Sequence, residues 1–391
     1  MIDSMRERVS IQTNRVKIYS RDELMRSPRW PYAFRNHRKD RRFYELVEDT
    51  IQPAFDFRYF AVADEHEVVC AVHPFFLLDQ DLTAGASRRV ETLVNAIRRV
   101  QPRFLKLRTL MVGCAAGEGH LDGPAESFGE TARLLASAIV RQARDQRASL
   151  IVLKEFPKRY RPALQAFLER GFIRVPSLPM TRLDIDYASF DDYMIRALKS
   201  DTRRKLRKNL QAADRSEPIE LCILDDVTPI IDDVYPLYMQ TYERSKLHFE
   251  KLTQDFLSRI GRDMPDKTRF FVWRWSQKVV AFTLCMLEGD AFYAEYIGLD
   301  YTVALELHLY HYAVRDMISW AIANGYKSFC SSALNYDPKL HMRHLLEPID
   351  LYVRHTSPLA NAILGIALPW IEPTRHESLL KKFPNYRELW D

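Results

Sequence analysis

The stretch Thr268–Leu299, TRFFVWRWSQKVVAFTLCMLEGDAFYAEYIGL, decides the fold. Phe270–Trp275, Val279–Leu287 and Ala291–Gly298 are apolar, aromatic and β-branched runs. Ser276-Gln277-Lys278 and Glu288-Gly289-Asp290 separate them, and linkers that short make hairpins. An antiparallel meander is therefore expected. Ala304–Asn324 then reads as a helix ended by Gly325, Tyr326–Ser331 as a short strand, and Lys339 follows Asp337-Pro338. Meander, helix and returning strand together describe an α/β (α+β) unit, a mixed, mostly antiparallel sheet flanked by helices.

At 391 residues the chain exceeds one ordinary core, and its length corresponds to roughly two to three domains. The 47% hydrophobic and 12% aromatic content is that of a globular chain, which excludes a disordered one. A net charge of +5 is mild, but the cations are unevenly placed. Cys70, Cys114, Cys222, Cys285 and Cys330 are far apart and form no CxxC, the pattern of reduced, buried thiols. Met1–Arg8 carries charges where a signal peptide would be apolar, and no run of about 18 apolar residues occurs. A soluble, cytoplasmic protein is expected.

The first half has the same grammar as the second. Arg15–Tyr19 reads as a strand, Asp40–Thr50 as a helix, and Phe57–Leu78 as two strands about a polar turn at Ala63–His66. Ser87–Val100 reads as a basic helix, Leu107–Cys114 as a strand opening into Ala115–His120, and Ser127–Gln146 as a helix. Ser149–Phe156 is a strand, Arg161–Glu169 a helix, and Phe172–Ile185 strand again. In the second half Glu220–Leu224 is a strand and Val227–His248 a helix before the meander. The expected division is residues 1–186, a connecting helix over 187–215, a catalytic domain over 216–372 and a tail over 373–391. Two similar domains in tandem fit this order; two unrelated α/β domains would give the same string.

The connecting segment Ser189–Ala213 opens with a hydroxyl cap and two carboxylates, Asp191 and Asp192, in its first turn. Arg203, Arg204, Lys205, Arg207 and Lys208 then place five cations in six positions, with Arg203 above Arg207 and Arg204 above Lys208. Arg203, Arg204, Arg207 and Lys208 could bind the phosphates of coenzyme A, tRNA or a nucleotide-linked substrate. A solvated helix face is the plainer reading of such a run.

Ser189-Phe190-Asp191-Asp192-Tyr193, Leu198-Lys199-Ser200 and Thr202–Lys208 resemble the linker of Fem-like tandem acyltransferases, built from two Gcn5-related N-acetyltransferase (GNAT) domains. The resemblance extends to Phe292–Tyr296, Leu307–Tyr312 and Pro338-Lys339-Leu340. It implies two tandem GNAT-like domains, an acyl-CoA or aminoacyl-tRNA donor and a small-molecule or peptide amine acceptor. One departure stands out. GNAT enzymes that use acetyl-coenzyme A hold its pyrophosphate on backbone N–H groups of a glycine-rich loop, whereas Ile297–Thr302 has one glycine and Gly117-Glu118-Gly119 carries a glutamate.

Transfer to an amine needs a base, a stabilised oxyanion and a protonated leaving group. Glu295 lies mid-strand, where alternation sets it with Tyr293 and Ile297 and opposite Phe292, Ala294 and Tyr296. A carboxylate there is costly unless paired or used, so it is either a general base or a structural ion pair. The resemblance places Lys339 near the reacting carbonyl, as the oxyanion's cation, and Tyr310 as the general acid; the plainer readings are a surface lysine and a packed tyrosine. Tyr293 and His308 are expected to touch substrate. His308-x-x-His311 and His341-x-x-His344 are too sparse for zinc, so no metal is expected. Binding modules for a phosphorylated precursor or for RNA are the non-catalytic alternatives.

Overall fold

The computed structural model describes residues 15–51, 55–81, 106–214, 217–245 and 249–391, with positions 94, 96, 98, 99 and 101. The expected basic helix Ser87–Val100 falls outside these apart from isolated positions, as does the 246–248 end of the helix begun at Val227. The described strands are β1 (Val16–Tyr19), β2 (Asp56–Ala63), β3 (Val69–Asp81), β4 (Lys106–Val112), β5 (Leu150–Pro157), β6 (Ile173–Pro176) and β7 (Met180–Asp184), followed by β8 (Glu220–Leu224), β9 (Thr268–Trp275), β10 (Lys278–Glu288), β11 (Ala291–Leu299), β12 (Ser328–Ser331), β13 (Leu345–Glu347) and β14 (Ile349–His355).

They form two sheets of seven, ordered β1-β2-β3-β4-β5-β14-β6 and β8-β9-β10-β11-β12-β7-β13. Each sheet is antiparallel except for one central parallel pair, β4–β5 and β11–β12. The two orders match position for position. Each takes its sixth strand from the other half of the sequence: β14 pairs with β5 and β6, and β7 pairs with β12 and β13. These are two GNAT-like mixed sheets in tandem, as expected.

The exchange alters the domain boundaries. One compact unit holds Met1–Phe34, Pro53–Ser177 and Ile349–Arg375; the other holds Arg35–Gln52, Leu178–Pro348 and His376–Asp391. A cut at residue 186 therefore does not follow the pairing, because Phe172–Ile185 is two strands of different sheets, parted at Ser177–Pro179. Nor are the last residues a loose tail. Leu380, Phe383 and Leu389 bury against Tyr336 and Leu346, and the Asn385 amide both donates to and accepts from the Leu346 backbone.

In the second unit the meander forms as read. Ser276 and Gln277 both take positive φ (48° and 66°), the geometry of a type I′ turn, and Gly289 turns the next hairpin at φ 58°. The helix Leu309–Ala323 packs Leu309, Ala313, Met317, Ile318 and Ala321 onto a core that includes Phe271, Trp273, Cys285 and Phe292. It starts five residues later than expected, because Asp300–His308 closes a series of turns on its own carbonyls.

The connecting segment breaks in two, Phe190–Ala197 and Ser200–Asp214, where Leu198 turns extended (ψ 142°) and buries its side chain. The Ser189 hydroxyl does accept from the Asp192 N–H, as the cap reading required. Sequence patterning missed the helix Gln254–Asp263, capped by Thr253.

Gly298 shows how tightly β11 is overlaid. A Cβ there would lie 2.7 Å from the Tyr238 backbone nitrogen and against the Phe282 ring. We expect Gly298→Ala to lower unfolding free energy by about 1–3 kcal/mol in a denaturant titration, the usual cost of overpacking. Gly289→Ala, with open space around it, should cost only about 1 kcal/mol through its φ.

Candidate active site

Ala291–Ala294 of β11 pair with Ser328–Ser331 of β12, and beyond Ala294 the two strands part. On the other side of β11 the register with β10 slips, Leu284 facing Tyr296 and Cys285 facing Ala294. Glu295 is thus the extra residue of a β-bulge. The bulge corrects the simple alternation. Ile297 packs with Phe292 and Ala294 on the helix-covered core rather than beside Glu295, whereas Tyr293 does share the Glu295 face.

Glu295 is buried and ion-paired. Its Oε1 accepts from Arg38 Nε at 2.5 Å, and its Oε2 lies 3.6 Å from Lys39 Nζ. The Arg38 guanidinium stacks on the Tyr293 ring, 3.6 Å from its centroid, and the Arg38 N–H donates to Glu288 Oε2 at 2.8 Å. Both cations are 1% exposed. Charges that deep persist only when paired and hydrogen-bonded, so the ion pair between β11 and the segment before the helix Arg41–Thr50 is a built feature. Neither cation was anticipated; their signal, the basic run Arg35–Arg42, looks in sequence like any solvated stretch.

Across the opening, Lys339 lies on the short helix Tyr336–His341 and is buried rather than at the surface. Its Nζ donates to the carbonyls of Ser332 (2.5 Å) and Leu334 (2.8 Å). Ser332 joins the two halves of the site, its N–H donating to Ala294 O at 3.4 Å. Burial lowers the Lys339 ammonium to about 7. Leu334 and Asn335 both take positive φ (72° and 49°) to turn the chain back under β12. Tyr310, in the first turn of Leu309–Ala323, reaches the Asn335 side chain, and burial raises its phenol. Tyr310 thus meets the residue that follows Leu334, whose carbonyl accepts from Lys339.

His344, which the sequence offered only as half of a weak metal pair, is 2% exposed with no hydrogen-bond partner on either ring nitrogen. Burial, then the Lys339 charge, lowers it to about 3, so the ring is neutral. Arg343, at φ 63°, turns it inward. His308 takes the left-handed φ of 49° and is half-buried, its ring 6.4 Å from that of His311. Among the described residues no group of three His, Cys, Asp or Glu could hold a metal ion.

The basic helix stays outside this constellation. Leu206 and Leu210 anchor it to the core while Arg204, Lys205, Arg207 and Lys208 are exposed. Arg203 donates to the Met194 and Ile195 carbonyls, and Arg204 pairs with Asp201. Ser200, Arg203, Arg204, Arg207, Lys208 and Gln211 line a groove of about 380 Å³. Several N–H groups of the loop before Leu309–Ala323 are already taken by acceptors within it. The Ala304, Leu307 and Leu309 N–H groups donate to Asp300, Val303 and Ala304, and the Thr302 N–H donates to the Asp300 carboxylate. In the first unit the corresponding loop is sealed by its own polar contacts, Glu118 to His120 at 3.1 Å and Lys154 Nζ to Gly117 O at 2.8 Å.

A parallel pair that parts beside a bulge, with a buried lysine beneath, gives the second unit the splayed sheet of a GNAT-like fold. Residues 115–335, more than half the chain, match the FemAB-like family, described by peptidoglycan biosynthesis and recognition, and the chain belongs to it. Among solved structures the chain is similar to the C-terminal domain of a putative lysylphosphatidylglycerol synthetase from Agrobacterium fabrum (12% identity, 84% of this chain and 94% of that one, TM-score 0.49). It is also similar to L-PGS from Bacillus licheniformis (12%, 84% and 94%, 0.49) and to FemX (12%, 79% and 90%, 0.48). No curated protein matches it.

If Glu295 holds Arg38 and Lys39 in place, Glu295→Gln should cost about 3–5 kcal/mol of stability, as expected on breaking a buried ion pair. A chemical melt checks this. A stability unchanged by the substitution would show that the pair holds nothing.

Proposed function

We propose that this chain transfers an activated acyl group to an amine, with the reacting carbonyl seated where β11 and β12 part. The observation that carries the reading is Lys339. Its ammonium is fixed by two backbone carbonyls beside that opening, in a dry setting where a preplaced cation stabilises a developing oxyanion far better than in water. Tyr310, whose phenol burial keeps protonated, would give its proton to the leaving group. Glu295 is committed to Arg38 and Lys39, which supports a holding role over that of a general base; Tyr293, under Arg38, would face the substrate. The family's description makes the amine of a peptidoglycan precursor the proposed acceptor.

The donor, acyl-CoA or a related activated acyl group, would place its phosphates on the side chains of Arg203, Arg204, Arg207 and Lys208. The turns before Leu309 commit the Thr302, Val303, Ala304, Leu307 and Leu309 N–H groups to acceptors of the loop itself, and together with the lack of a glycine-rich loop this supports aminoacyl-tRNA as the second reading of the donor. His308, at the mouth of that loop, is the remaining proposed contact.

The experiment is acylation of a precursor peptide followed by mass spectrometry, with acetyl-coenzyme A and with aminoacyl-tRNA as donors. Lys339→Met should lower kcat by about 100-fold or more, the typical loss of an oxyanion donor, without loss of fold. With the ammonium as the active form and a midpoint near 7, the rate constant should fall as pH rises through that value. A rate that climbs through it instead would make the neutral amine a base. Arg203→Ala with Arg207→Ala should raise KM tenfold or more, since each charge-assisted contact is worth about 1.5–3 kcal/mol. With tRNA as donor, the salt dependence should flatten as well.

A further inference from the structure

The helix Pro358–Ile371, PLANAILGIALPWI, contains no charged residue, and none of its described side chains is buried. Leu359, Ile363, Ile366 and Trp370 recur at intervals of four, three and four, which aligns them in one stripe. They are 75%, 61%, 73% and 76% exposed. Opposite the stripe, the Asn361 amide holds the helix to the first unit, donating to Gly171 O and accepting from the His355 N–H. The side facing the protein carries Asn361 with the half-buried Leu364 and Leu368, so the helix is apolar on both sides. A surface helix ordinarily turns a polar face to water, whereas this one leaves four large apolar side chains there.

Three arginines gather at the N-terminal end of this helix. Arg354 donates to Arg170 O, and Arg144 donates to the carbonyl of Thr356, two residues before Pro358. Among the described residues none of the three has a carboxylate partner. Burial, then repulsion from Arg144 and Arg170, pulls the Arg354 guanidinium below its usual range. A cation cluster without carboxylate partners beside an exposed apolar stripe ending in tryptophan matches the surface of an anionic bilayer: cations at the headgroups, apolar side chains at the acyl boundary, indole at the interface. At 14 residues the helix is roughly 21 Å long, too short to cross a hydrocarbon core of about 30 Å.

We propose that Pro358–Ile371 lies in the interface of an anionic membrane through Leu359, Ile363, Ile366 and Trp370, with the exposed Arg144 and Arg170 on the headgroups. The helix acts as an anchor that keeps the enzyme at a lipid surface, independently of the chemistry in the second unit.

The test is co-sedimentation of the full chain with phosphatidylcholine vesicles, with and without phosphatidylglycerol. The chain should pellet with the phosphatidylglycerol vesicles and far less with phosphatidylcholine alone. Ile363→Asp with Ile366→Asp should lower the partition on the order of tenfold or more, and Arg144→Gln with Arg170→Gln should remove the preference for phosphatidylglycerol. Trp370→Phe, a milder change, should abolish most of the vesicle-induced blue shift in tryptophan emission while keeping the melting temperature. A chain that stays in the supernatant with both vesicles overturns the proposal. So does concentration-dependent self-association without vesicle binding that the aspartate pair abolishes, since the stripe would then face a second copy. Equal binding to both vesicle types overturns the assignment of the arginines.

Discussion

Everything proposed for catalysis depends on one parting of strands. β11 and β12 run parallel for four residue pairs and separate after Ala294 and Ser331. The slip that marks the separation is a single extra residue, Glu295. Its carboxylate would be untenable in a sheet interior alone. Arg38 and Lys39 make it tenable, and Glu295 in turn makes two buried cations tenable. A local defect in one ladder thus fixes a distant segment of chain, the stretch before Arg41–Thr50, against the sheet. The other lip is fixed by Lys339, whose ammonium ties the turn after β12 to itself through Ser332 and Leu334.

The second constraint is the exchange of strands. Each sheet is completed by a strand from the other half of the chain, so neither half of the sequence can finish its sheet alone. The C-terminal segment adds to this by burying Leu380, Phe383 and Leu389 against Tyr336, the first residue of the helix that carries Lys339. The lysine is therefore supported from behind by residues some forty positions later, which is how a six-residue helix, unstable by itself, can hold a buried amine.

Much of this could be read from the sequence, and what could not has physical reasons. The meander was legible because three-residue linkers between apolar runs are too short for anything but hairpins. Glu295, Tyr310 and Lys339 could be named because a carboxylate mid-strand is costly and because the linker and C-terminal motifs resemble those of Fem-like enzymes. The bulge was not legible: one inserted residue leaves period-2 alternation intact on either side, so Ile297 was set on the wrong face. The exchange of β7 and β14 was hidden because a strand of five or seven residues carries no mark of its sheet. Arg38 and Lys39 belong to a basic run whose ordinary fate is solvent, and only the tertiary structure shows which two of its cations are buried. The apolar character of Pro358–Ile371 was visible in sequence, but that composition usually means a core helix, and exposure is a property of the fold.

Hydrogen–deuterium exchange with acetyl-coenzyme A, or with an aminoacyl-tRNA, at saturation is the most direct measurement of where the chemistry sits. With the acyl group held between β11 and β12, protection should appear at Glu295–Leu299 and at Ser332–Lys339. Protection confined to Gly113–Asp122 of the first unit, with the β11 and Lys339 segments unchanged, would contradict the assignment.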